Sequence, residues 1–414
     1  MEIRIAGHSI KLYNQVAINL KYDSIADTFN FRLYFDPSNP THKKIFQPGT
    51  YRKCTIVHRG VLVMTGTVLC HRFFSAGDPP KQLIEISGYS VTGVLADCCV
   101  VNTVFTEGQP QYQFDNKSSV DINQGSLQFA NVDLATITKT VTAWYGLGAP
   151  VIEPELLNET AFNVPYKQSL ATGKKDTDYR DITVAEFLDM LCKQKNVVLS
   201  HTADGRVLLT RVKASKMLTT PSTTVLANTN PTPFTNDVAG APVATVNKTT
   251  GNSAARAILH DFKENDPKVI SMSLSFNGQR QHRIIQVVGE ENDSNPANKT
   301  IANPMVAAGT TRYIRMNQTS GNDNDTPLTA RAAIGDELKN IVLEIEIQGW
   351  ALGGNLVTPN QMITATNPEL FLYSRSKWFI QEVALLGDEK SETAILTCVP
   401  PESFNSDPIK NIFA

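Results

Sequence analysis

The chain has 414 residues, with 38 Lys+Arg against 40 Asp+Glu, a formal net charge of −2 and a sequence pI of about 6.4. At one domain per roughly 100–200 residues this length predicts about two to four domains. The missing basic surplus argues against a protein held to nucleic acid mainly through phosphate contacts. Charged residues make up 19% of the chain, below the roughly 25% usual in soluble domains. Asn, Thr, Ser and Gln take their place, a composition that favours β structure over long solvated helices and does not point to an enzyme.

The start, Met1-Glu2-Ile3-Arg4-Ile5, lacks a basic region followed by an apolar run, so no secretory signal is expected. No apolar stretch approaches the length of a transmembrane helix. Cys54, Cys70, Cys98, Cys99, Cys192 and Cys398 are scattered without a C-x-x-C pair. They are expected to be small buried hydrophobes in a protein made in a reducing cytoplasm.

Val16, Ile18, Leu20 and Tyr22 alternate with polar residues, as do Phe29, Phe31, Leu33 and Phe35, the period of a sheet with one buried face. After a polar link come strand-like runs at 51–57, 61–74 and 81–89, with Gly77-Asp78-Pro79-Pro80 as a turn and Gly66 marking a bulge or bend. Short antiparallel strands at this spacing indicate a barrel or sandwich. A helix is expected at about 132–146, where Leu134, Ile137, Val141, Trp144 and Tyr145 keep helical spacing and Gly146-Leu147-Gly148-Ala149-Pro150 ends it.

The best-written helix starts near Asp181. Thr183 and Glu186 have capping-box spacing, and Val184, Phe187, Leu188 and Leu191 form an apolar stripe. Two apolar runs around Asp204-Gly205 then read as a hairpin. From about 213 to 262 the chain turns to Thr, Asn, Pro and Ala without periodicity, an extended loop or linker. Strands return at 268–290 and a polar gap covers 291–310. A helix follows near 327–341 with Thr326 as its cap and Pro327 at its first position. Leu343-Glu344-Ile345-Glu346-Ile347 leads to Gly349-Trp350, and strands fill most of the rest to Val399.

Two stretches share a layout. Pro48, two strands, Gly77-Asp78 and a strand through Ile84 near the start match Pro359, two strands, Gly387-Asp388 and a strand through Ile395 near the end. The layout implies two similar β-barrel domains in one chain.

No catalytic constellation stands out. The histidines (His8, His42, His58, His71, His201, His260, His282) are dispersed, and none pairs with a carboxylate in a zincin pattern. His58 and His71 fall on neighbouring expected strands, where they read as ordinary strand residues. There is no G-x-S-x-G elbow and no phosphate-cradling loop, Gly146-Leu147-Gly148 being a helix stop. Asp115, Asp121 and Asp133 are too irregular for a calcium loop, and Asn322-Asp323-Asn324-Asp325 reads as a polar turn. Trp144, Trp350 and Trp378 read as core or interface anchors. Catalytic, cofactor-binding and metal-binding residues are each read as none, and no cofactor is expected.

The element order carries the strongest signal. It runs from a small β domain to a helix ending Tyr145-Gly146-Leu147, then the Thr183-Val184-Ala185-Glu186-Phe187-Leu188 helix with its hairpin. A strand ending Val287-Val288-Gly289, an Ala-rich helix, a strand into Gly349-Trp350 and the closing Val399-Pro400-Pro401-Glu402-Ser403-Phe404 follow. This resembles the phage Mu baseplate hub and the wider late-control-protein-D family of tailed phages and contractile injection systems, over about 1–95, 127–211 and 265–405. Where that family's turn before the last strands usually has a tryptophan and Pro-Gly, this chain has Leu356-Val357-Thr358-Pro359-Asn360, and Asn accepts positive φ.

The expected fold is mainly β with α+β insertions: two similar tube-like β-barrel domains plus smaller α+β domains. The segments are a first barrel at 1–97, an irregular α+β insertion at 98–180, helix plus hairpin at 181–212, an extended linker at 213–265, an α+β segment leading into the second barrel at 266–405, and a tail at 406–414. The resemblance implies a homotrimeric, pseudo-sixfold ring in the virion tail that joins the hexameric tail tube, or a distal tube-ring protein, to a trimeric central spike. It implies contacts with tape-measure and baseplate wedge proteins, DNA only in transit through a polar channel, and no stable membrane insertion. Two other readings fit the sequence less well. One is a receptor- or carbohydrate-binding tail protein; the other is a tail-associated cell-wall hydrolase, for which 100–180 and 213–262 show no suitable carboxylate or Cys/His set.

Overall fold

A computed structural model of the chain describes residues 1–76, 81–98, 104–106, 109–112, 120–123, 126–143, 145–152, 162–165, 183–210, 244–245, 258–289, 298–317, 326–405 and 407–413. The fold is mainly β, with small helices packed on a large, predominantly antiparallel sheet. Among the described residues fourteen strands belong to that sheet.

The sheet contains two units with one pairing order. In the first, neighbours run Gln15–Lys21, Thr28–Tyr34, Lys81–Ser90, Val61–Ala76, Lys53–His58 and Glu2–Ile5. In the second they run Val269–Phe276, Ile341–Gln348, Glu392–Val399, Leu372–Asp388, Met362–Asn367 and Ile258–Lys263. The last strand differs: Glu2–Ile5 pairs antiparallel and Ile258–Lys263 parallel. The longest strand of each unit carries a bulge at the same place, between Val68 and Cys70 and between Ile380 and Glu382. Just before each bulge the main chain makes the same bond, Val68 N–H to Arg52 O and Ile380 N–H to Gln361 O, both 2.9 Å.

The shared layout of the sequence is therefore a shared hydrogen-bond pattern, with one adjustment. Cys70 pairs with Ser87 as Glu382 pairs with Thr397, so Gly387 corresponds to Ser75 and not to Gly77. Gly387 has its own reason to be glycine: a Cβ there would lie 2.5 Å from the Trp350 ring. Gly66 sits between Cys54 and Ser90, where a Cβ would meet Tyr89 O at 2.8 Å; the register slips flank it, opposite Ile56–Val57 and between Val68 and Cys70, and do not fall at the glycine itself.

The units are joined edge to edge. Gln15–Lys21 pairs antiparallel with Glu382–Asp388, so the sheet and one core run through both. At that seam Ile18, Leu20, Val383 and Leu385 are almost fully buried.

The capping box at Thr183–Glu186 is present and starts the helix Val184–Gln194, with the hairpin Val198–His201 and Val207–Thr210 after it. Its stripe packs with Leu134, Ile137 and Val141 of the helix Leu134–Ala143 into a second core. That helix is shorter than 132–146 at both ends, and Trp144 lies outside the described residues. The 202–205 turn docks on the first unit, where Thr65 N–H donates to Ala203 O (2.7 Å) and Gly205 (φ +87°) leaves no room for a Cβ beside Val91.

Several local expectations shift. Ile258–Lys263 is a strand within the segment read as linker, paired with the distant Met362–Asn367, and Asn298–Ala302 is a strand within the polar gap 291–310, paired antiparallel with the preceding Ile284–Val288. The third long helix is Thr326–Leu338, ending before Lys339. Asn360 has φ +72°, so the turn after Pro359 keeps its left-handed residue. Cys54, Cys192 and Cys398 are buried as expected, but Cys70 is exposed and Cys98 half-buried, because both lie where the sheet or helix meets solvent. Cys99, the 77–80 turn, the acidic run 322–325 and nearly all of 213–257 lie outside the described residues.

Candidate assembly surface

The solvent face of the joined sheet follows from strand alternation. Directly opposite residues share a face, so the register carries one continuous surface from Ser273 through Glu344, Thr397 and Glu382 to Lys21. A parallel row runs from Gln15 through Arg32 and Glu85 to Arg72. Charges of both signs are interleaved, and the glutamates are held by amide and hydroxyl donors: Asn19 Nδ2 to Glu382 (2.9 Å), Asn30 Nδ2 to Glu85 (2.7 Å) and Ser271 Oγ to Glu346 (3.1 Å). Arg32 and Arg72 lie over the Phe74 ring at 4.7 and 4.9 Å. The surface is polar without being a phosphate-gripping basic patch.

A second cluster ties the units to the helices. Lys339, just past the helix Thr326–Leu338, places Nζ 3.0 Å from Asp23 and 2.9 Å from Asp336, and 4.7 Å above the Phe404 ring. Gln381 Nε2 donates to both Asp23 oxygens at 2.9 Å. Burial alone would raise the Asp23 carboxyl, but Lys339, Gln381 and Lys21 outweigh it and hold it below its ordinary value. Burial likewise pulls the Lys339 ammonium down, and Asp23 and Asp336 more than reverse that.

The closing Pro-Glu-x-Phe motif belongs to the same junction. Phe404 packs edge-on to Tyr22 (5.2 Å) and against Phe379 (4.9 Å). Arg331 donates to the carbonyls of Glu402, Asn405 and Asp407. Gly335 lets the helix rest on Ser403, where a Cβ would sit 2.5 Å from the carbonyl oxygen.

His58 and His71 do not meet. His58 pairs with Val61 at one end of the long strand and packs on Trp350 (5.4 Å), whereas His71 lies at the other end, stacked on Phe73 (6.5 Å). Burial first, then the terminal ammonium and Arg59, push His58 down to about 4. Trp350 and Trp378 are buried core anchors; Trp350 Nε1 donates to Leu386 O (2.7 Å) and Thr393 O (3.0 Å). Buried His201 lies 2.9 Å from Asp27 Oδ2 and donates from Nδ1 to Ser24 O at 2.9 Å, joining the hairpin to the first unit. No sequence signal marks this pair or Asp23–Lys339, since their members are far apart in the chain.

A groove of about 660 Å³ opens between the helices Val184–Gln194 and Thr326–Leu338, with Met190, Met316, Ala332 and Ala333 in its wall and no serine or cysteine among its described lining residues. His282 in its lining is held by Glu337 (2.6 Å). Among the described residues no group of three or more His, Cys, Asp or Glu is placed to hold a metal ion, and no helix is long and apolar enough to cross a membrane.

The mainly β architecture with its joined units is a bacteriophage tail-protein fold. The chain is similar to the 43 kDa tail protein of prophage MuSo2 from Shewanella oneidensis (TM-score 0.64, 15% identity, 97% of this chain and 99% of that one). It is similar to a tail protein of Neisseria meningitidis MC58 (TM-score 0.66, 13% identity, 97% of each chain). It also resembles the E. coli c3393 protein, a type VI secretion system component with structural similarity to the T4 tail proteins gp27 and gp5 (TM-score 0.52, 7% identity, 100% of this chain and 80% of that one). No protein-family profile and no curated protein sequence matches the chain.

Proposed function

We propose that this protein is a structural hub of a phage-tail baseplate or related injection apparatus: a homotrimeric ring, pseudo-sixfold through its two β units, between the hexameric tail tube and a trimeric spike. The observation that carries the reading is the repeated pairing order of the two units, joined through one sheet. Three such chains offer six similar surfaces to a sixfold partner and three to a threefold one. The polar sheet face, with charges of both signs, suits a channel wall past which DNA slides, because a basic wall would retain phosphates. The fold shared with tail proteins and a type VI component supports the same setting. The protein acts by positioning its neighbours, without catalysis or a cofactor, as a virion component. Light scattering with negative-stain imaging tests the reading: trimeric rings with a central opening are expected, and a chain that stays monomeric with its tube and spike partners present overturns it.

A further inference from the structure

Outside the joined sheet lies a small one of three strands, in the order Asn298–Ala302, Ile284–Val288 and Tyr313–Asn317. Ile284–Val288 is enclosed, antiparallel to the first and parallel to the last. Tyr313–Asn317 is an edge, and among the described residues no strand pairs with its outer side. Such an edge presents a row of backbone N–H and C=O groups that a further strand can satisfy. Its last two residues, Met316 and Asn317, also line the groove between the helices Val184–Gln194 and Thr326–Leu338.

The two faces of this edge differ in chemistry. Ile314 and Met316 share a face with Ile285 and Val287. Ile285 and Val287 are 0% exposed, whereas Ile314 and Met316 are only half-buried, as befits an edge lacking its next strand. On the other face Arg315 is exposed and continues a row with neutral Gln286 and Thr300. The two carboxylates in the described lining of the groove are already engaged. Glu337 accepts from the His282 backbone N–H at 2.8 Å and lies 2.6 Å from its Nδ1; Asp336 is bridged by Lys339 at 2.9 Å and Lys193 at 3.7 Å. Among the described residues no carboxylate pairs with Arg315, or with Arg280 in the groove wall.

We propose that the edge Tyr313–Asn317 takes an added strand from another polypeptide, an extended segment that alternates apolar and acidic residues. Directly opposed residues share a face. Partner residues set against Ile314 and Met316 therefore point to the groove side, where Met190 and Ala333 add apolar surface, and are apolar. The residue between them falls opposite Arg315 and is acidic. A basic segment would set like charges against Arg315. A helix would cover the methionines but leave the backbone groups of the edge unmatched, and a strand satisfies both. The inference needs one edge of one chain and does not rest on the ring reading.

Fluorescein-labelled synthetic peptides test it on the full chain by fluorescence anisotropy. The probe alternates valine with glutamate between soluble flanks, and a control carries lysine in place of each glutamate. The glutamate peptide is expected to bind and the lysine peptide to stay free. Arg315→Glu, a change at an exposed position, is expected to weaken the first by about tenfold or more and to admit the second. Bound glutamate peptide should slow amide hydrogen exchange in Tyr313–Asn317 and leave the joined sheet unchanged. Binding that ignores Arg315→Glu, or that protects other strands, overturns the site, as does a glutamate peptide that fails to bind at millimolar concentration. Protection of Tyr313–Asn317 in the chain alone, rising with its concentration, makes the occupant a second copy and overturns the acidic partner. The ring is read separately, by light scattering, and stands or falls without these peptides.

Discussion

The two β units share a hydrogen-bond plan but differ in what closes their edges. The second unit's long strand finds a partner for both halves within the chain, Met362–Asn367 and then Gln15–Lys21; among the described residues the first unit's long strand has one only for its first half on that side. The units also differ in dress. The first carries the short helix Pro40–Ile45 before its edge strands, whereas the second has the small hairpin Ala351–Leu352 and Asn355–Leu356 with Trp350 tucked under Gly387. Conserving the pairing while varying the inserts keeps two units interchangeable to a sheet neighbour and distinct to everything else.

The largest test of that comparison strikes the packing peculiar to the second unit. Trp350→Ala removes a buried indole and two hydrogen bonds and is expected to cost about 3–5 kcal/mol, read as a lowered chemical-denaturation midpoint. Equivalent positions at the seams come next. Leu385→Ala is expected to cost about 2–5 kcal/mol, while Phe73→Ala, its half-exposed counterpart, costs under about 1 kcal/mol in the isolated chain and weakens self-association instead. Equal losses of folding stability from both would break the equivalence.

The acid side probes where each unit is buried. His58 is held near 4 against an ordinary 6.5, so the unfolded chain takes up its proton first. Stability is full above pH 6.5 and falls as pH drops toward 4, and His58→Gln should remove that part of the slope. Asp23, held below its ordinary 3.8, adds a loss at still lower pH; Lys339, raised above 10.5, contributes below that value and loses its contribution as pH rises past its folded value. Lys339→Met should flatten both extremes. The smallest effect is local: Thr183→Ala unmakes the capping box and should cost about 1 kcal/mol, with hydrogen exchange in Val184–Gln194 rising before exchange in the sheet.

The site was legible in the sequence to an uneven degree. The capping box, the Asp204-Gly205 turn and the alternating strands are local signals, and each formed where the spacing put it. The glycines that drew attention to the repeated layout were misaligned by two residues, because Gly387 answers to the Trp350 ring and not to the turn. Ile258–Lys263 was unreadable as a strand, since its pairing with Met362–Asn367 lies about a hundred residues away and its own pattern is half exposed. Charge balance argued against a basic phosphate-gripping surface, but gave no sign that Asn19, Asn30 and Ser271 would hold the glutamates of the sheet face.

By itself, then, the sequence determined what depends on neighbours a few residues apart: a β-rich chain of near-neutral charge, its helix start, its hairpin, and the rough outline of a repeat. Only the tertiary structure decided that the two units fuse through Gln15–Lys21 and Glu382–Asp388 into one sheet, and that Phe404 and Lys339 lock the helices to the seam. Those are pairings between residues hundreds of positions apart, fixed by which edges can satisfy their backbone hydrogen bonds while burying the same face.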